Sequence, residues 1–114
     1  MAKNRLSRSE LARITQKGAQ RVHGKLFSVV FTPLLENPSK FTCAVSVKTA
    51  RRAVERNRIK RFCREAAREW IKKSDRPHAF IFYAKRGASE AEYRDIARDI
   101  EELIRKVNKD LPAH

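Results

Sequence analysis

A chain of 114 residues suffices for one folded domain and is too short for two. Its 27 lysines and arginines outnumber 13 acids for a net charge of +14, yet 41% of the residues are hydrophobic, which excludes a disordered basic tail and points to a folded domain with a charged face. The excess is one-sided, because residues 1–73 hold 19 basic and 5 acidic residues whereas residues 74–114 hold 8 of each.

Residues 1–5 form a short polar lead, expected to be mobile. Ser7 as N-cap, Glu10 three residues later and the pair Leu6 and Leu11 predict a helix start with a capping box and a hydrophobic staple. That helix is expected to run to about Lys17, where Gly18 supplies a residue tolerant of positive φ, and to pack across the edge of a sheet. A strand follows from about Lys25 to Thr32, with Phe27, Val29 and Phe31 on one face and Ser28 and Val30 on the other. Pro33 and the cluster Glu36, Asn37, Pro38 and Ser39 interrupt it. Alternation resumes over residues 41–47 with Phe41, Cys43, Val45 and Val47 aligned, and the two strands read as an antiparallel pair.

Residues 53–73, AVERNRIKRFCREAAREWIKK, read as one long helix that stops near Ser74, because Pro77 follows. Its apolar residues Ile59, Phe62, Cys63, Ala66, Ala67, Trp70 and Ile71 share one side of a 3.6-residue period. At about 100° per residue, Lys60, Arg64, Asn57, Arg68 and Arg61 fall on an arc from about 40° to 140° past Arg56, while Arg58, Glu65 and Glu69 turn to a third side. The line Arg56, Lys60, Arg64 and Arg68 along the stripe therefore has like charges at successive i,i+4 positions. Such spacing costs a few tenths of a kcal/mol per pair, a cost that a polyanion lying along the stripe turns into affinity. An ordinary solvated face is the plainer alternative; the segregation of charge favours a nucleic-acid phosphate surface.

Residues 78–85, HAFIFYAK, are apolar on both faces, as for a central strand covered on both sides. A loop over residues 85–88 leads to Ser89 and Glu92, which read as a second capping box. Tyr93, Ile96, Ala97, Ile100, Leu103, Ile104, Val107 and Leu111 then continue an apolar stripe whose mixed polar face has no preference for RNA. The order helix, strands, long helix, strand, helix is an α+β, two-layer sandwich of a small mixed sheet with three helices, spanning residues 1–114 as a single RNA-binding domain.

Other chemistries find little support. Cys43 and Cys63 fall on the apolar sides of their elements and read as small buried hydrophobes, with a disulfide as the lesser alternative; the scattered His23, His78 and His114 lack the pairing of a zinc site. The acids of the basic region, Glu10, Glu36, Glu55, Glu65 and Glu69, form no cluster suited to two-metal phosphodiester cleavage, and no glycine-rich phosphate loop occurs. No segment approaches the roughly 18 apolar residues of a spanning helix and nothing resembles a signal peptide, so a soluble cytoplasmic protein is expected, with no membrane partner and no small-molecule substrate.

The run RNRIKRFCRE, residues 56–65, preceded by Ala53 and Val54 and by Lys48, Arg51 and Arg52, resembles the signature of the bacterial ribonuclease P protein subunit, and the likeness extends more weakly over nearly the whole chain. The resemblance implies an RNA-binding partner of a catalytic RNA subunit, which uses Mg²⁺ to remove the 5′ leader of precursor tRNA, and a left-handed crossover through the long helix, against the usual hand. It also implies RNA contacts at Lys48, Arg51, Arg52, Arg56, Asn57, Arg58, Lys60, Arg61, Arg64, Arg68, Lys85 and Arg86. A cleft between the sheet and the first helix would hold the single-stranded leader, with Phe31, and then Phe27, as candidate stacking residues; both side chains equally suit a place in the core. Two departures stand out: the first helix lacks the phenylalanines common in the family, and Lys48-Thr49-Ala50-Arg51-Arg52 replaces a loop with two lysines and a glycine. A ribosomal or other structural RNA-binding protein is the alternative of a different class.

Overall fold

A computed structural model of the chain describes residues 6–16, 19–35, 38–73 and 76–110. Among them are three helices and one four-stranded mixed sheet: α1 (Arg8–Gln16), β1 (Gln20–His23), β2 (Phe27–Pro33), β3 (Lys40–Ala44), α2 (Ala53–Ile71), β4 (His78–Ala84) and α3 (Tyr93–Asp110). The lead at residues 1–5, the expected turn elements Lys17, Gly18, Glu36, Asn37 and Ser74, and Leu111 and His114 lie outside the described residues.

The sheet order is β1-β2-β4-β3, so the strand that is apolar on both faces lies inside, as its composition demands. β2 and β3 do not form the antiparallel pair expected of them. β4 separates them, pairing antiparallel with β2 (Phe31 opposite Phe80) and parallel with β3 (Phe41 opposite Phe80). A hairpin of β2 and β3 would leave one face of each short strand and both faces of β4 short of apolar cover; inserting β4 buries all three. β3, α2 and β4 thus form a strand–helix–strand unit between neighbouring parallel strands. β3 also ends at Ala44, earlier than expected, and leaves Val47 62% exposed.

β1 is a strand of its own, missed by periodicity. It pairs antiparallel with β2, Arg21 opposite Val30 and His23 opposite Ser28. The turn between them is held from far along the chain: Asp99 of α3 accepts hydrogen bonds from the backbone N–H groups of Lys25 (3.0 Å), Leu26 (3.0 Å) and Phe27 (2.9 Å). A Cβ at Gly24 would stand 2.7 and 2.9 Å from the Asp99 oxygens, so the turn needs glycine for close approach.

Apolar side chains gather on both faces of the sheet. Phe27, Val29, Phe31, Phe41, Cys43, Phe80 and Phe82 meet α2 and α3 through Ile59, Cys63, Ala66, Ala67, Ile71, Ile96, Ile100, Leu103, Ile104 and Val107. On the second face, Val30, Ala79 and Ile81 meet Leu6 and Ile14, with Leu11 and Tyr83 partly buried against them. The first helix therefore crosses the middle strands of this second face, where its edge position had been expected. Its capping box forms as read: Ser7 N–H donates to Glu10 Oε1 (2.8 Å) and Glu10 N–H to Ser7 Oγ (3.2 Å). Lys40 Nζ, 2.9 Å from Glu10 Oε2, ties the helix to β3 and, with the Ser7 N–H, holds the Glu10 carboxyl down to about 2. The second capping box does not form. Ser89 sits in a short 3-10 turn, Arg86–Glu90, and α3 is capped instead by Asp95, which accepts from Glu92 N–H (3.3 Å).

Candidate nucleic-acid interface

Helix α2 buries Ile59, Cys63, Ala66, Ala67 and Ile71, and Phe62 reaches across to Tyr93 of α3 with ring centroids 5.4 Å apart. The stripe lies beside this buried side, with Arg61 at its margin setting Cζ 5.4 Å from the Phe62 ring centroid. There Asn57, Arg61, Arg64 and Arg68 are exposed and Lys60 is half-buried. Among the described residues no side chain of this stripe enters an ion pair; the pairs present are Lys40–Glu10, Arg94–Glu92 and Arg105–Glu101. The flank is thus a surface of uncompensated positive charge on a rigid helix, suited to a row of phosphates.

Arg56 has a different task. Its Nη1 donates to the carbonyl oxygens of Ala50 (2.9 Å) and Arg51 (2.8 Å), closing the approach to the helix. The preceding turn is set by Ser46 and Thr49, whose hydroxyl also donates to the carbonyl of Ala84 (3.3 Å). This frame presents Lys48, Arg51 and Arg52 exposed at the α2 N-terminus, where the helix dipole disfavours cations and favours an anion among them.

Three other basic residues split by place. Arg58 turns toward α3, with Nη2 donating to the Ala91 carbonyl (3.3 Å) and Cζ 5.2 Å from the Phe62 ring centroid; it is apart from the stripe, as its helical angle required. On this third side the Glu65 and Glu69 carboxylates, after burial itself, push up the Tyr93 hydroxyl, so the acids of α2 are gathered away from the stripe. Lys85 spends one donor on the Gly24 carbonyl (2.7 Å) and braces the β1–β2 turn, while Arg86 is exposed beside it.

The two phenylalanines are a correction. Phe27 and Phe31 are 0% and 2% exposed, packed with α2 and α3 on the face of the sheet opposite α1. Neither can stack on a nucleotide in a cleft beside α1, since both rings are in the core and on the wrong side of the sheet. The register shows what shares the face of α1: Arg21 and His23 of β1, Ser28 and Val30 of β2, Thr42 of β3, and Ala79, Ile81 and Tyr83 of β4. Arg21 is exposed and places its Cζ 5.3 Å from the centroid of Tyr83, with Nη1 donating to Ser28 Oγ (3.2 Å). Sequence reasoning passed over Arg21 and Tyr83. Strand parity held the signal: with Phe80 and Phe82 on the core face, Tyr83 must face the other way.

The profile of the ribonuclease P family matches residues 1–108. The chain belongs to the ribonuclease P protein family. A relative, the ribonuclease P protein component of Microcystis aeruginosa, is 30% identical over 93 residues, covering 78% of each chain. The ribonuclease P protein of Staphylococcus aureus has the same fold, with a TM-score of 0.78 at 24% identity over 93% of this chain and 96% of that one. The Thermotoga maritima ribonuclease P protein superposes with a TM-score of 0.79 at 18% identity, covering 91% and 97%. Membership brings an RNA partner, a part in tRNA processing and a place in a ribonuclease. No helix among the described residues is long and apolar enough to cross a membrane.

Proposed function

We propose that this chain is the protein subunit of bacterial ribonuclease P, which assists a catalytic RNA in the endonucleolytic removal of the 5′ leader from precursor tRNA. The observation that carries this is the unpaired basic flank of α2 in a chain of the ribonuclease P family. Lys48, Arg51, Arg52, Asn57, Lys60, Arg61, Arg64 and Arg68 contact the phosphates of the RNA subunit and of the precursor near the cleavage site. Arg56 and Lys85 act chiefly by holding this surface in shape, given their bonds to backbone carbonyls. The single-stranded leader runs over the second face of the sheet, beside α1.

Catalysis belongs to the RNA. Mg²⁺, held by the partner RNA and the substrate, supplies the Lewis acid and the activated water. The protein adds positive charge where two polyanions must approach one another, which lowers the Mg²⁺ needed for assembly and cleavage. Its place of work is the cytoplasm. Reconstitution with a bacterial catalytic RNA on precursor tRNA at low Mg²⁺ tests this: cleavage at the 5′ site should require both components, and specific Mg²⁺-dependent cleavage by the protein alone would overturn it.

A further inference from the structure

We propose that Arg21 and Tyr83 form a stacking platform for one unpaired nucleobase on the second face of the sheet. The proposal rests on the placing of the leader given above and names the residues that read it. α1 brings no aromatic side chain to this face, since its sequence is RSELARITQ. The aromatic candidates on β2 are in the core. Tyr83 is thus the aromatic ring that the two middle strands put on this face, half-buried against Val30, Ala79 and Ile81 and so fixed from below, with the imidazole of His23, opposite Ser28 on β1, as an exposed ring at the edge of the same row.

Arg21 extends the ring into a wider surface. It comes from β1, two strands away, and reaches over Ser28 of β2 to the ring of Tyr83 on β4. Its guanidinium is held twice, by the cation–π contact at 5.3 Å and by the hydrogen bond to Ser28 Oγ at 3.2 Å. Ser28 is itself buried, which anchors the acceptor. A planar cation so restrained loses little freedom when a base stacks on it, and its remaining donors are left for a phosphate or a base edge. Aromatic and guanidinium planes on an open sheet face suit a single strand, whose bases are unpaired, and not a duplex, whose bases are stacked away. The stack tolerates any base and prefers those with the larger π-face.

The test is an abasic scan of the leader in precursor tRNA, read as equilibrium affinity for the reconstituted protein–RNA complex. With the unaltered protein, one leader position should lose about tenfold in affinity when its base is removed. Tyr83→Leu should bind the intact leader about tenfold more weakly and show no further loss at that position, Tyr83→Phe should restore the penalty, and leaderless tRNA should bind all three alike. Arg21→Gln, at an exposed site, should lower the penalty even if Tyr83→Leu unfolds. An unchanged abasic penalty in both Tyr83→Leu and Arg21→Gln, or in Arg21→Gln alone when Tyr83→Leu does not fold, overturns the platform, as does an equal loss on leaderless tRNA. Failure of the unaltered protein to bind the RNA subunit, or affinity independent of leader length, would instead refute the function on which it rests.

Discussion

Replacing Asp99 with alanine should cost this protein about 3 kcal/mol of stability, although the residue lies far from the basic flank. Its carboxylate accepts three backbone N–H groups within 3.0 Å. The N–H of Phe27 is buried, and stripping its partner leaves a desolvated donor, at about 1 to 3 kcal/mol. The N–H groups of Lys25 and Leu26 are part-buried and recover water, so each adds about 0.5 to 1 kcal/mol. Asparagine should recover part of the loss, because its Oδ1 can still accept from Leu26 and Phe27 while its amide nitrogen turns a donor toward the Lys25 N–H. Gly24→Ala attacks the same contact from the other side, and combined with Asp99→Ala it should cost less than the two separate losses together, since both act on one contact. Urea unfolding of the isolated protein measures all of these. A loss below about 1 kcal/mol for Asp99→Ala would mean that the β1–β2 turn stands without its clamp, and with it the placing of Arg21 would need another cause.

Phe31→Leu should lower stability by about 1 to 2 kcal/mol through lost core volume and should weaken long-leader and leaderless substrates alike, if at all; a loss confined to long leaders would return this ring to the leader cleft. Burial lowers the pKa of His78 below its usual 6.5, so the folded state resists a proton that the unfolded chain accepts. Stability should therefore be level above about pH 6.5 and fall below it, by at most about 1.4 kcal/mol per pH unit, and His78→Phe should remove that slope in denaturation series between about pH 7.5 and 5.5. Equal slopes in both proteins would exclude His78 as the source. Glu10 titrates in a separate, lower window: its contribution is present above about pH 4.5 and is lost toward 2, where the contact of α1 with Lys40 should loosen first.

What the sequence made legible was local. The 3.6-residue period over residues 53–73 fixed both the buried side of α2 and the basic flank beside it, because helical angles follow from numbering alone. The apolar composition of HAFIFYA placed β4 inside the sheet for the same kind of reason. Pairing was not legible, since β3 meets β4 across the whole of α2 and no local pattern carries that partner. β1 was hidden because its turn is shaped by Asp99, more than seventy residues away. The leader face was misread at Phe27 and Phe31 for a different reason. β2 offers two faces, Phe27, Val29 and Phe31 against Ser28 and Val30, and the larger apolar set takes the larger core, that of α2 and α3. Family likeness drew attention to an aromatic on β2; area decides which way it turns.

The central claim is that the position of charge on α2, and not the net charge of the chain, binds RNA. Two variants of equal charge separate these: Arg61→Ala with Arg64→Ala on the flank of α2, and Arg98→Ala with Lys106→Ala on the exposed side of α3. The measurement is affinity for the catalytic RNA between about 50 and 200 mM salt, with folding checked for each. If about six basic groups reach phosphates, affinity of the unaltered protein should fall roughly a thousandfold over that range. The α2 pair should bind more weakly and reduce the salt slope by about two, one for each lost contact, while the α3 pair keeps the slope of the unaltered protein. Equal losses in the two variants, or a slope unchanged by the α2 pair, would contradict the account.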